Sequence, residues 1–143
     1  MPSTAEAIIS IRPPHAEAIL TGRKTIELRR RIPDLGSGTR LWIYSTRPTA
    51  AIVGIVMIHR VSKAHPTTIW EEHGDRVAID HASFRDYFKG VKEGVAILLE
   101  AARRVAPITI DQLRDVRREF HPPQVLTLLT REEAVALSSL AGL

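Results

Sequence analysis

Lys24, Glu27 and Arg29 stand close together in the run Gly22-Arg23-Lys24-Thr25-Ile26-Glu27-Leu28-Arg29. On a β-strand, side chains two residues apart share a face, so Glu27 and Arg29 can pair. The carboxylate then fixes the guanidinium fork and leaves its other donors for a phosphate or a base edge. Lys24 precedes the strand, in the tight connection after Gly22, and is not bound by its alternation. These types at this spacing suit one wall of a groove for an anionic ligand. The plainer alternative is an exposed strand ion pair, which contributes little.

The elements that must position this wall are readable on either side. Glu6 to Arg12 alternates as a strand with Ala7, Ile9 and Ile11 on one face. Pro13-Pro14 stops it and opens a helix with Ala16, Ile19 and Leu20 as its apolar stripe. Gly22 suits the left-handed position that ends that helix. Thr25 to Arg31 is the next strand, and Pro33 with Gly36-Ser37-Gly38 makes a loop. Thr39 to Thr46 and Ala50 to Val61 read as two further strands; the second is apolar on both faces and therefore central. Thr68-x-x-Glu71 predicts a helix start, Gly74 its stop, and Asp80 a cap for a helix whose Phe84, Tyr87 and Phe88 anchor it on the sheet. Gly94 to Val105 returns to strand. Thr109-x-x-Gln112 and Thr130-x-x-Glu133 open two more helices, with a short strand through Leu128 between them. The pattern is a single α+β domain over residues 1–143, a small mixed β-barrel with peripheral helices.

Charge and composition narrow the chemistry. Up to Lys63 there are ten Lys or Arg against four Asp or Glu, and from Ala64 onward ten against twelve, so the basic surplus lies in the N-terminal part. Sixteen of the twenty basic residues are arginine, the better residue for bidentate phosphate contacts and for stacking on bases. With no cysteine, disulfides, thiolate metal sites and cysteine nucleophiles are excluded. The N-terminal stretch carries Glu6 and lacks a basic, apolar leader, so no signal peptide is expected. The longest apolar stretch, around Ala50 to Ile58, is too short to span a bilayer. These readings make the cytoplasm the default location and exclude a membrane partner.

The chain resembles the ASCH (activating-signal-cointegrator homology) family. Gly22-x-Lys24-x-x-Glu27-x-Arg29 matches the family's G-x-K-x-x-E-x-R signature. Ile9-Ser10-Ile11-Arg12-Pro13 is similar to its opening strand, and Leu41 to Pro48 followed by Ile52-Val53-Gly54 to its third and fourth. Phe84-x-x-Tyr87-Phe88-x-Gly90 and Pro122-Pro123-Gln124 resemble a prokaryotic branch described as transcriptional regulators. The resemblance implies a PUA-like barrel with a cleft lined by the signature residues, and an RNA-related, regulatory function. It also places Arg12, Tyr44, Ser45, Thr46 and Arg47, at strand ends, beside the signature. There Arg12 and Arg47 would meet phosphates, Ser45 a base edge and Tyr44 a base plane. Trp42 and a buried Tyr44 are equally readable as core.

Catalysis divides into two possibilities. As a ribonuclease, Glu27 would act as general base on a 2′-hydroxyl or a water, with Lys24 or Arg29 stabilising charge at phosphorus. No cofactor is required; a divalent metal would need converging carboxylates, for which Glu71, Glu72, Asp75 and Asp80 are available in sequence. The six histidines show no paired i, i+4 spacing. Some small ASCH proteins are amidohydrolases on an acylated cytidine nucleoside, through a motif resembling G-R-K-T-I-T-I-R. Here Glu27 stands where their nucleophilic threonine would, and a carboxylate cannot replace that hydroxyl. A monomer or weak homodimer that binds single-stranded RNA or a nucleotide is the leading expectation, with RNA cleavage next.

Overall fold

The computed structural model describes residues 5–143; Met1, Pro2, Ser3 and Thr4, most of the N-terminal stretch read above as carrying no export signal, lie outside the described residues. The chain runs β1 (Glu6–Ile11), α1 (Pro13–Leu20), β2 (Ile26–Arg29), β3 (Arg40–Ser45), β4 (Ala51–Ala64), α2 (Pro66–His73), α3 (His81–Tyr87), β5 (Gly94–Thr109), α4 (Ile110–Val116), β6 (Leu126–Leu128) and α5 (Arg131–Ala141). The strands form one sheet in the order β2-β5-β4-β3-β1-β6, curled into a half-barrel in this mixed α+β fold. All neighbours are antiparallel except β1 and β3, which are parallel and are linked across α1 and β2.

Both faces of the central strands are covered. Ala7, Ile9 and Ile11 join Leu41, Ile43, Val56, Ile58 and Ile97 beneath α1. Ile8, Trp42, Tyr44, Ile52 and Ile108 pack on the other side against α4, α5 and Phe120. A third cluster seats α2 and α3 on β2 and β5 through Ile69, Phe84 and Phe88. β4 and β5 are long, and bulges at several points along their pairing let them bend through the curl. Gly54 sits where α1 crosses β4. An added Cβ there would lie 2.7 Å from the Arg103 carbonyl oxygen and closer still to the Leu20 side chain.

Two capping boxes form as the sequence predicts, at Thr109 with Gln112 and at Thr130 with Glu133. Asp80 caps α3 by accepting from the Ser83 N–H at 2.7 Å. The start of α2 differs from expectation. It begins at Pro66, not after Thr68, because proline is preorganised for the first helical position and the His65 imidazole accepts from the Thr67 N–H at 3.2 Å. Among the described residues no helix is long and apolar enough to cross a membrane.

Candidate functional site

The curled sheet has two edges, and they approach one another without a ladder. β6 pairs with Ala7, Ile8 and Ile9 only, so the last part of β1 has no strand on that side. β2 is the opposite edge. Between them lies a cleft of about 600 Å³, bordered by Ser10 to Arg12 of β1 and its exit, by His15, by the signature residues, and by Tyr87 of α3.

Local structure explains how the signature reaches this cleft. α1 closes with the Gly22 N–H donating to the Ile19 carbonyl at 3.1 Å and Gly22 at φ 81°, a conformation glycine adopts freely. The Lys24 N–H then donates to the Ala18 carbonyl at 3.0 Å. Lys24 is thus tied to the helix end, not the ladder, and its side chain turns to the same side as Glu27. β2 starts two residues later, pairing Ile26 to Arg29 with Leu98 to Val95.

The charged groups form a continuous chain. Lys24 Nζ lies 3.2 Å from Glu27 Oε1. Glu27 Oε2 accepts from Arg29 Nε at 2.9 Å and from Nη2 at 2.6 Å. Arg29 Nη2 also donates to the Ser10 carbonyl at 2.7 Å, bridging β2 to β1 across the seam. Lys24 and Glu27 are only 4% and 6% exposed, so this is a desolvated site and not the surface ion pair of the plainer alternative. Arg29 Nη1 keeps two N–H donors with no protein partner among the described residues.

His15 completes the group. Lys24 Nζ lies 3.1 Å from His15 Nδ1. An ammonium only donates, so Nδ1 carries the lone pair and the ring proton sits on Nε2. Burial first, then the Lys24 ammonium, hold the imidazole below its ordinary value of 6.5, so it is neutral at pH 7.

The expected site residues separate into two sets. Arg12, Lys24, Glu27 and Arg29 border the cleft, with Thr46. Tyr44 is 2% exposed and packs on Phe120 at 6.2 Å between ring centroids, in the core that also takes Trp42. Ser45 is buried on β3, and Arg47 is exposed in the turn after it; neither borders the cleft. His15 and Tyr87 were not singled out as site residues from sequence. His15 escaped because its partner is a lysine nine residues on, not a second histidine. Tyr87 sits next to the apolar stripe of α3, but while Phe84 and Phe88 are buried it is 38% exposed. Its hydroxyl donates to the Leu28 carbonyl at 3.3 Å, which anchors the polar end of the ring on β2.

Thr25 faces elsewhere: it borders a separate hollow behind Lys24, with Leu20, Val56 and Leu99, and among the described residues its hydroxyl has no hydrogen-bond partner. Glu71 and Glu72 lie exposed on α2, Asp75 is exposed in the turn after it, and Asp80 is spent on its cap. Among the described residues no three His, Asp or Glu side chains gather as a metal-binding group.

The family model of the ASCH domain matches residues 9–120. An ASCH domain-containing ribonuclease of Zymomonas mobilis is 39% identical over 142 residues, which cover 99% of this chain and 96% of the relative. The crystal structure of ASCH from Zymomonas mobilis superposes with a TM-score of 0.91 at 40% identity, over 94% of each chain. The N-terminal domain of McrB from Staphylothermus marinus superposes with a TM-score of 0.61 at 12% identity, over 94% of this chain and 93% of that one, which shows a shared fold alone.

Proposed function

Since the chain belongs to the ASCH domain family, we propose that its cleft binds single-stranded RNA and cleaves it at a phosphodiester held between Lys24 and Arg29. The observation that carries this reading is the convergence of Lys24, Arg29 and a neutral His15 on one cleft around a buried carboxylate. The Zymomonas mobilis relative, a ribonuclease similar along nearly the whole chain, supports cleavage over binding alone.

The chemistry follows from which atoms are engaged. Each Glu27 oxygen already faces a cation, so Glu27 positions Lys24 and Arg29 and does not take the substrate proton. A phosphate entering the cleft meets the free Arg29 Nη1 donors and draws the Lys24 ammonium towards itself. That frees the His15 Nδ1 lone pair, which accepts the proton of the attacking 2′-hydroxyl. The 2′-oxygen closes on phosphorus, and Lys24 and Arg29 stabilise the charge that develops there. The 5′-oxygen departs with a proton from solvent, leaving a 2′,3′-cyclic phosphate. Such a scheme needs no metal. Amide hydrolysis by a threonine is disfavoured, because Thr25 lies beside the hollow behind Lys24 and not in the cleft.

Cleavage of a labelled RNA decamer by the purified protein in EDTA tests this. His15→Ala should abolish strand scission while retaining RNA binding, and Lys24→Ala should lose both. Because His15 must be neutral to act, the rate should rise with pH through a midpoint below 6.5, the ordinary histidine value. Unchanged scission by His15→Ala, with wild-type RNA binding, refutes the assignment.

A further inference from the structure

A second hollow of about 490 Å³ adjoins the cleft and shares Arg29, Tyr87 and Gln124 with it. Its other walls are Arg30, Arg31, Val91 and Val125. The two together are bordered by five Lys or Arg side chains, Arg12, Lys24, Arg29, Arg30 and Arg31, against the single carboxylate of Glu27. That local excess of four equals the formal net charge of the whole chain, +4. The remaining residues sum to no net formal charge, so the two hollows account for the whole positive surplus of the chain.

Tyr87 stands where the two hollows meet. Its hydroxyl is anchored on Leu28 of β2, its ring packs edge-on against Phe88 with centroids 4.9 Å apart, and more than a third of its surface stays exposed. An aromatic ring held at both ends and open on one side offers a stacking plane with little ordering cost. Arg30 and Arg31 follow it on the rim, both exposed; among the described residues Arg30 makes only a long contact, 3.4 Å, to the Tyr87 carbonyl. Val91 and Val125 give the hollow an apolar floor.

We infer that the second hollow is a subsite for the neighbouring nucleotide of the same RNA strand: Tyr87 stacks on its base, and Arg30 with Arg31 hold the next phosphate. This rests on the proposal that the cleft itself takes RNA, and it makes the ligand a polymer of at least two nucleotides, not a free nucleoside or mononucleotide.

The test uses the full chain and a fluorescein-labelled 2′-O-methyl RNA decamer of mixed sequence, which cannot be cleaved through its 2′-oxygen. Each of the four nucleoside 5′-monophosphates is titrated separately by NMR chemical-shift change. The wild type should bind the decamer at least about tenfold tighter than the best monophosphate. The exposed-site double variant Arg30→Gln/Arg31→Gln should lose that advantage and lower the log-affinity against log-salt slope by about 0.7, one phosphate contact on a single strand. Its monophosphate shifts at His15 and Lys24 should match wild type. Tyr87→Leu should weaken decamer binding about tenfold, while Tyr87→Phe, which keeps the ring, should not. A decamer bound no tighter than a monophosphate overturns the subsite and leaves the cleft assignment standing. Wild-type affinity and salt slope in the double arginine variant do the same. A wild type that binds neither probe overturns the cleft assignment, and the subsite with it.

Discussion

Replacing Glu27 by glutamine changes one heavy atom and removes the carboxylate that sits between Lys24 and Arg29. Lys24 is 4% exposed, and its two neighbours within reach are Glu27 Oε1 at 3.2 Å and the neutral His15 at 3.1 Å. Arg29, whose side chain is 13% exposed, leans on Glu27 through two N–H donors. The glutamine keeps the shape and one acceptor but leaves an ammonium and a guanidinium facing each other without a counter-charge. Breaking a buried pair from one side costs about 3–5 kcal/mol, and retention of one acceptor places Glu27→Gln at the low end, about 3 kcal/mol. For a chain of this size that lowers the melting temperature by about 10 °C. Lys24→Met alone should cost less, because Glu27 keeps Arg29. The double variant Lys24→Met/Glu27→Gln should melt no lower than Glu27→Gln, since the stranded ammonium has gone; the cycle then shows a coupling of about 1.5–3 kcal/mol. Calorimetry or circular dichroism at low salt reads all four proteins. Strictly additive losses, or a Glu27→Gln protein melting within about 2 °C of wild type, would refute the view that Glu27 is the counter-charge of the site.

Two further predictions concern the frame. Gly54→Ala should lower the denaturation midpoint by the equivalent of about 1–3 kcal/mol, because the new Cβ meets the Arg103 backbone oxygen of β5 at 2.7 Å and also crowds the Leu20 side chain at the end of α1; RNA binding should weaken with it, since α1 carries His15 and ties down Lys24. Glu133 closes the cap of α5 and takes two bonds from Arg117, at 2.7 and 2.9 Å, which hold its carboxyl down at about 2 against an ordinary 4.5. A lowered carboxyl stabilises the fold above its unfolded value and loses that contribution as the pH falls through its folded one. Glu133→Gln should therefore be less stable in urea by about 1–2 kcal/mol at pH 7, allowing for partial solvent screening, with the gap closing between pH 4.5 and 2. Glu133 borders neither hollow, so RNA affinity should not change.

Local signals in the sequence were reliable where a single element decides the outcome. Thr109 with Gln112 and Thr130 with Glu133 cap helices because each box satisfies its own helix end. Thr68 with Glu71 has the same spacing, yet Pro66 and His65 open that helix first, and the box falls inside it. The alternation of β3 could not assign Tyr44 to a face with solvent, since Leu41 and Ile43 enter one core and Trp42 and Tyr44 another. A strand covered on both sides reads the same whichever way its aromatic residues point. Lys24, Glu27 and Arg29 were visible because they are close in sequence. His15 and Tyr87 join them only through the docking of α1 and α3 on the sheet, a tertiary fact with no local pattern.

The position of the cleft follows from the way the half-barrel stops. β6 leaves β1 after Ile9, and β2 is only four residues long, so neither can supply a ladder across the seam. An exposed pair of strand edges invites mispairing with other chains. Here Arg29 covers the gap, with Nη2 shared between the Ser10 carbonyl and Glu27. Only a guanidinium can do this and still present donors outward, because its five N–H groups diverge from one rigid plane; a lysine ammonium would have to choose. In the proposed function the same residue therefore both closes the fold and faces the ligand. Glu27 makes that double duty possible: it holds Arg29 in place before any anion arrives, so in the proposed reaction the phosphate meets a guanidinium already oriented.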